Sequence, residues 1–325
     1  MNLIETMKIE IKGKKLRLVL PEGWDSRVLT AAARLLSEDL AHPILLGDKM
    51  TIIQTAKGLG VNLEGMEIID PKMYEQFDEM VKEFVNVRKG KVEIGEAAIM
   101  LQQTNYFGTM LIKMGLADAL VGGVIYSTAD TVRPALQIIK TKADVAKVSS
   151  MFYLHKGGDS YIFGDCAINV SPTAIDLADI ATGCALAAPK FGIHEPKVAF
   201  LSFSSKGSGL GPEVDKVREA TAIFQKNNPD IISDGELQFD SAVIPSVAIQ
   251  KAPTSNVAGY ANVLIFPDLE AANIGYKIAQ RFGGYEALGP ILLGLNSPIN
   301  DLSRGASVED IYKVSIITVA QVRQI

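Results

Sequence analysis

The chain has 325 residues, 48% of them hydrophobic and 21% charged, with a formal net charge of −5. That length suits two domains rather than one small core, and the apolar content excludes a disordered chain. The acidic balance argues against nucleic-acid binding, which needs a basic face, but allows an anionic small substrate where arginines are placed locally. Two cysteines, Cys166 and Cys184, form no C-x-x-C pair. They suggest buried structural thiols in a reducing cytoplasm rather than a disulfide framework or a zinc site. The first residues, Met1-Asn2-Leu3-Ile4-Glu5, show no secretion signal, and no window of about 18 uncharged apolar residues suggests a membrane partner. A soluble cytoplasmic protein is expected.

In chain order, Leu16 to Leu20 reads as a strand, Pro21-Glu22-Gly23 as a turn, and the spacing of Val28, Leu29, Ala32, Leu35 and Leu36 as a helix. His42 to Gly47 and Met66 to Asp70 read as strands separated by a helix over Lys49 to Gly58. Such alternation predicts parallel β-α-β units, hence an α/β fold. A charged helix over Lys72 to Val87 ends in Arg88-Lys89-Gly90-Lys91. Glu93 to Leu116 is helical with a break expected near Asn105 to Gly108. Asp118 to Val124 is the next strand, followed by a loop over Tyr126 to Thr131 and a helix from Arg133 to Lys140. The pattern then changes. Ser149 to His155 and Tyr161 to Asn169 predict an antiparallel hairpin about Gly157-Gly158. Further strands are expected at 197–203, 231–236 and 261–266, with helices at 174–188, 214–225, 273–281 and 308–322.

Three segments share a strand, a polar loop and a helix N-terminus: 121–133, 201–214 and 265–274. Free backbone N–H groups and the helix dipole make such junctions natural anion sites, and in open α/β sheets ligands gather at that end of the strands. Ser205-Lys206-Gly207-Ser208-Gly209-Leu210-Gly211 gives G-x-G-x-G, which matches neither the dinucleotide fingerprint nor a P-loop and reads as a flexible loop. His42, His155 and His194 are scattered at element edges and read as structural, so proton chemistry falls to a carboxylate, a lysine or a tyrosine. Arg133, placed before Pro134 at an expected helix start, is unfavourable there unless an anion binds. Arg88 has the simpler reading of a C-terminal dipole partner. The densest polar stretch is Pro298 to Asp310, where Ser307-Val308-Glu309-Asp310 fits a capping box and gives Asp310 a structural explanation.

Taken together, several of these segments resemble the phosphate acetyl/butyryl transferase family. Ser127 to Ala135 resembles its S-x-x-D-T-x-R-P-A signature. Asp234-Gly235-Glu236-Leu237-Gln238, and Phe266-Pro267-Asp268-Leu269 with Asn273-Ile274, are similar to two further stretches. Asn300-Asp301-Leu302-Ser303-Arg304-Gly305 with Asp310 is similar to its C-terminal active-site segment, and Pro21-Glu22-Gly23-x-x-x-Arg27 fits as well. The resemblance spans the whole chain. It implies reversible transfer of an acetyl group between phosphate and coenzyme A, with coenzyme A a substrate and no metal or other cofactor required. It also implies two α/β domains with a cleft between them, similar to the isocitrate and isopropylmalate dehydrogenases, in a homodimer. Residues 1–140 plus 300–325 would form the first domain and 141–299 the second.

By the same resemblance Asp310 falls on the base that takes the thiol proton. Ser303 and Arg304 fall on the pair that orients thiol and acyl phosphate and stabilises the reacting carbonyl. Arg88 and Arg133 are implied to meet anionic substrate groups, with Ser127 and Thr128 beside them. A family cysteine near the start of domain two has no counterpart here, because Gly157-Gly158-Asp159 stands in that neighbourhood; direct transfer in a ternary complex is therefore favoured. Three alternatives remain open at this stage. They are a phosphate butyryl or propionyl transferase, a hydroxy-acid dehydrogenase of similar architecture, and a non-catalytic regulatory domain.

Overall fold

The computed structural model describes residues 3–322. The chain divides into two compact units, Met1–Lys142 with Leu295–Ile325, and Ala143–Gly294. Unit 1 opens with α1 (Leu3–Ile11), β1 (Arg17–Leu20), α2 (Ser26–Ser37), β2 (His42–Leu46), α3 (Lys49–Leu59) and β3 (Glu67–Ile69). It continues through α4 (Phe77–Val87), α5 (Ile94–Leu101), α6 (Thr104–Lys113), β4 (Ala119–Gly122) and α7 (Thr128–Pro134). Unit 2 holds β5 (Ser149–Lys156), β6 (Asp159–Gly164), α8 (Ala174–Ala187), β7 (Val198–Leu201), α9 (Pro212–Asn227) and β8 (Ser233–Leu237). Then come α10 (Phe239–Val243), α11 (Pro245–Lys251), β9 (Val263–Ile265), α12 (Leu269–Arg281) and β10 (Glu286–Leu293). The chain returns to unit 1 with β11 (Ile299–Asp301) and α13 (Val308–Gln321).

Unit 1 is a five-stranded sheet in the order β11-β4-β1-β2-β3, every pair parallel. From β1 the chain winds one way through β2 to β3. It then crosses back to β4 and β11 on the other side, so the topological switch lies between β1 and β4. Apart from Arg17 and His42 at their starts, the central strands β4, β1 and β2 are buried, and α6 lies flush on the sheet through Gly108. A Cβ at Gly108 would stand 2.8 Å from Val19 Cγ1 and 3.0 Å from Leu120 Cδ1, which is why only hydrogen fits.

Unit 2 is a six-stranded mixed sheet, β10-β5-β6-β9-β7-β8. The β5–β6 hairpin and β10 are antiparallel, whereas β6, β9, β7 and β8 run parallel. Cys166 and Cys184 are free and buried here, and burial pushes both thiols up. The loop between β7 and α9, expected to be flexible, is tied down instead. The buried Glu236 carboxylate accepts from Ser204 Oγ at 2.8 Å, Gly207 N at 2.8 Å and Arg218 Nε at 2.8 Å.

Several elements depart from the pattern reading. The expected 93–116 helix breaks earlier, at Gln102–Gln103, and Asn105 to Gly108 lie inside α6. The helix expected from Arg133 begins at Thr128, so Arg133 lies in its last turn and does not oppose the dipole. Ser127 sets that start, because its hydroxyl accepts from Asp130 N while donating to Asp130 Oδ2 at 2.6 Å. Pro134 is tolerated because the Asp130 carbonyl it cannot use accepts from Asn105 Nδ2 at 2.6 Å. A π-helical turn, Ala135–Ile139, follows.

Gly108→Ala is expected to lower the stability of unit 1 by about 1–3 kcal/mol through overpacking. Chemical denaturation of the two proteins measures the difference.

Candidate active site

At the switch point between β1 and β4 the crevice is bridged from within. Glu22, just after β1, is buried, and its carboxylate accepts four consecutive backbone N–H groups after β4. Gly123 N, Ile125 N and Tyr126 N reach Oε1 at 3.2, 2.7 and 2.8 Å, and Val124 N reaches Oε2 at 3.2 Å. Such a ring of amides is an anion site, and here the chain supplies the anion itself. The 123–126 loop is thereby fixed, and with it the first turn of α7.

Arg27, on the first turn of α2, ties two other loops together. Its Nη1 donates to the carbonyls of Arg304 at 3.0 Å and Ala306 at 2.9 Å, and its Nη2 to the carbonyl of Val124 at 3.2 Å. Asp25, the cap of α2, holds the guanidinium through Nε at 3.0 Å and Nη2 at 2.9 Å. The loops after β1, β4 and β11 therefore form one hydrogen-bonded assembly. Asp301, at the end of β11, completes it from below. It is 1% exposed, and among the described residues neither of its oxygens has a partner within hydrogen-bond distance. Gly123 (φ +100°) leaves room for it, since a Cβ there would meet the Asp301 carboxylate and stand 2.6 Å from Leu302 O. Burial pushes the Asp301 carboxyl up to about 6; the nearby Thr128 and Thr131 hydroxyls and the Leu302 N–H hold it down, while Glu22 raises it further.

All seven residues singled out from the sequence lie in unit 1. Ser303 and Arg304 stand exposed on the loop after β11, and among the described residues no hydrogen bond or ion pair occupies the Arg304 guanidinium. Their backbone is held by Arg27. Asp310 lies on the first turn of α13, where its Oδ2 accepts from Ser307 N and Ser307 Oγ, each at 2.8 Å. The capping box is complete. Ser127 is likewise committed to the cap of α7, whereas Thr128 is half-buried beside Asp301. Arg133 is exposed, with Nη1 3.8 Å from Asp130. Arg88 follows α4 and has a buried Nε without a partner. Both arginines bear on Tyr106, whose hydroxyl burial raises and the two cations lower.

An apolar cavity of about 720 Å³ in unit 2, between Phe163, Phe239, Phe266 and Tyr285, carries Asp159 and no cation among its lining residues. Among the described residues no group of three or more His, Cys, Asp or Glu could hold a metal ion, and no helix is long and apolar enough to cross a membrane.

The family model described as phosphate acetyl/butaryl transferase matches residues 2–319. A phosphate acetyltransferase of Bacillus subtilis is 51% identical over 98% of this chain and 99% of its own. A phosphotransacetylase structure from Streptococcus pyogenes is 54% identical, covers 99% of this chain and 98% of its own, and superposes with a TM-score of 0.94. The chain belongs to the phosphate acetyl/butaryl transferase family. At 13% identity and a TM-score of 0.56, a Salmonella typhimurium protein assigned as a 4-hydroxythreonine-4-phosphate dehydrogenase shares the fold, covering 95% of this chain and 99% of its own. The α/β, dehydrogenase-like fold class is thus established.

For a member of this acyltransferase family unit 1 offers a guanidinium and a hydroxyl on a fixed loop, two further arginines whose charges act on Tyr106, and a buried carboxyl with a raised pKa. Glu22, Arg27 and Asp301 were visible in the sequence only as letters of matching segments, with no role attached. A signal did exist: an acid and an arginine five residues apart, flanking a strand-to-helix turn.

Two outcomes follow from the carboxylates. In Glu22→Gln an amide NH₂ would face the donor Val124 N–H, so stability is expected to fall by about 1–3 kcal/mol, read by denaturation. Asp301 behaves in the opposite sense. Its folded value of about 6 exceeds the ordinary 3.8, so between those pH values the folded state holds more protons and stability falls as pH rises. Asp301→Asn is expected to recover on the order of 2–3 kcal/mol above pH 6 and little below pH 4, measured as unfolding temperature against pH.

Proposed function

We propose that this acyltransferase moves an acetyl group reversibly between acetyl phosphate and coenzyme A by direct thiolate attack, with coenzyme A as substrate and no other cofactor. The thiol sulfur forms a bond to the acetyl carbon, the carbon–oxygen bond to phosphate breaks, and the thiol proton passes to a base. Acetyl phosphate is already activated, so the enzyme has to supply a thiolate, alignment and charge stabilisation.

The observation that carries this reading is the free Arg304 guanidinium beside Ser303 on a loop that Arg27 holds by its carbonyls. An arginine fork suits phosphate oxygens and the developing oxyanion, and a preorganised donor costs no rearrangement during reaction. Ser303 orients the thiol, and Asp310 is the base. Arg88, with its unpartnered Nε, and Arg133, exposed on α7, meet anionic groups of the substrates beside Ser127 and Thr128. Location in the cytoplasm and assembly as a homodimer belong to the same proposal.

Incubation with acetyl phosphate and coenzyme A, followed through thioester absorbance, is the direct test. Propionyl and butyryl phosphate serve as comparisons. No thioester from any of them overturns acyl transfer. Arg304→Gln is expected to lower kcat by about 10²–10³, the scale of one lost oxyanion donor. Asp310→Asn should depress kcat more than it raises KM if the carboxylate accepts the proton. Unchanged kcat with reduced stability would leave it a helix cap alone.

A further inference from the structure

Among the described residues of unit 1 the buried carboxylates are Glu22 and Asp301, and only Asp301 is without a structural or chemical task. Glu22, from the loop after β1, has four backbone donors; among the described residues neither Asp301 oxygen has one within hydrogen-bond distance. An ionised carboxylate buried without partners is costly, and groups kept at such cost concentrate at functional sites. Its surroundings narrow what it can do. Asp301 pairs in register with Gly122 at the end of β4, and α7 packs against β11. That packing sets Asp301 against Thr128 and Thr131 of the family signature, and two residues later the chain reaches Ser303. Thr131 Oγ1 is also buried without a partner. Thr128 is the half-buried member, with a face toward solvent.

We propose that Asp301 is a positioning residue of the acyl transfer and acts through Thr128. In the substrate complex its carboxylate takes the Thr128 hydroxyl proton in a hydrogen bond that this structure does not yet make, and so turns that hydroxyl's lone pairs toward the substrate thiol. A threonine hydroxyl can rotate, and it donates to whichever neighbour is the stronger acceptor. With Asp301 ionised, the hydroxyl faces the thiol as an acceptor and orients the S–H proton away from the attack line. With Asp301 protonated, the acid donates to Thr128 and the hydroxyl proton points outward, which is the wrong polarity for a thiol about to ionise. The groups around Asp301 are few. Glu22 faces it from the β1–α2 loop, Thr128 and Thr131 face it from α7, and the Leu302 N–H comes from its own segment. The charges of Asp130 and Arg133, also on α7, stand near each other and are partly exposed. Burial and Glu22 together put the change of polarity at a pH the cell can approach, about 6.

The proposal rests on the acyl-transfer reading, and the test separates the two. Wild type, Asp301→Asn, Thr128→Val, Thr128→Ser and the Asp301→Asn/Thr128→Val double variant are assayed with acetyl phosphate and coenzyme A from pH 5 to 8. Asp301→Asn and Thr128→Val are each expected to lose about 10- to 100-fold in kcat at pH 7.5, the scale of one hydrogen bond to a charged group. KM for acetyl phosphate should stay in place, and the double variant should be no worse than either single one. Thr128→Ser should restore activity, and the acid limb of kcat near pH 6 should vanish in Asp301→Asn. Loss of activity together with a raised unfolding temperature in Asp301→Asn is a pairing that a merely structural carboxylate does not give. Wild-type kcat and an intact acid limb in Asp301→Asn overturn the proposal, as does multiplication of the two single losses. A wild-type chain that forms no thioester sinks the acyl-transfer reading and this one with it.

Discussion

A parallel sheet collects amide ends at one edge, and where its strand order reverses those ends face an open crevice. In unit 1 that crevice receives Glu22, and a carboxylate with four backbone donors fixes a loop more tightly than apolar packing could. Much of the candidate site depends on this contact. The 123–126 loop leads into the Ser127 cap, the cap sets where α7 begins, and that start fixes where Thr128 and Arg133 stand. Arg27 extends the same logic to the loop after β11, taking its carbonyls where Glu22 takes the amides of the loop after β4. One acid and one arginine of a single strand-to-helix turn thus position two loops from other parts of the chain.

Glu22 and Asp301 share a crevice and a side-chain chemistry but not a role. The four donors make Glu22 a structural anion. Asp301 lies beside it with unpartnered oxygens, and its carboxyl is driven up to about 6. The contrast comes from backbone geometry: the amides after β4 all turn toward β1, and none turns toward β11. Four backbone donors separate a clamp from a group free to change its charge. Elevated pKa and lost stability are the same quantity measured two ways.

The sequence announced the alternation of strands and helices in unit 1 because its central strands are short apolar runs and α2 buries a regular stripe. The hairpin of unit 2 was legible from its Gly157-Gly158 turn. Other elements were silent for physical reasons. β11 is three residues long and two of them are polar; it is a strand only because β4 offers it a partner. α1 buries just Ile4, Met7 and Ile11, too few to stand out from a charged segment. The start of α7 was misjudged because proline was taken to mark a first turn, whereas Asn105 satisfies the carbonyl that Pro134 leaves empty. Of the residues that resemblance marked, Ser303 and Arg304 lie on the loop whose carbonyls Arg27 holds. What resemblance could not convey was the scaffolding by Glu22 and Arg27, since hydrogen bonds across about 100 to 280 residues leave no local pattern.

The loop after β11 ends in two aspartates with complementary properties. Asp310 has access to solvent, but its Oδ2 already accepts two hydrogen bonds from Ser307. Asp301 has free oxygens and a carboxyl close to neutrality, but it is buried. A general base needs reach and a matched affinity for the proton together. Asp310 can still take a proton on its other oxygen without unmaking the cap, which leaves the helix start intact through the cycle. Asp301 cannot reach a thiol, and a neighbouring hydroxyl is the short route by which its charge is felt at the surface. On the proposed mechanism the proton chemistry of the loop is divided, with acceptance at Asp310 and control of polarity at the buried Asp301.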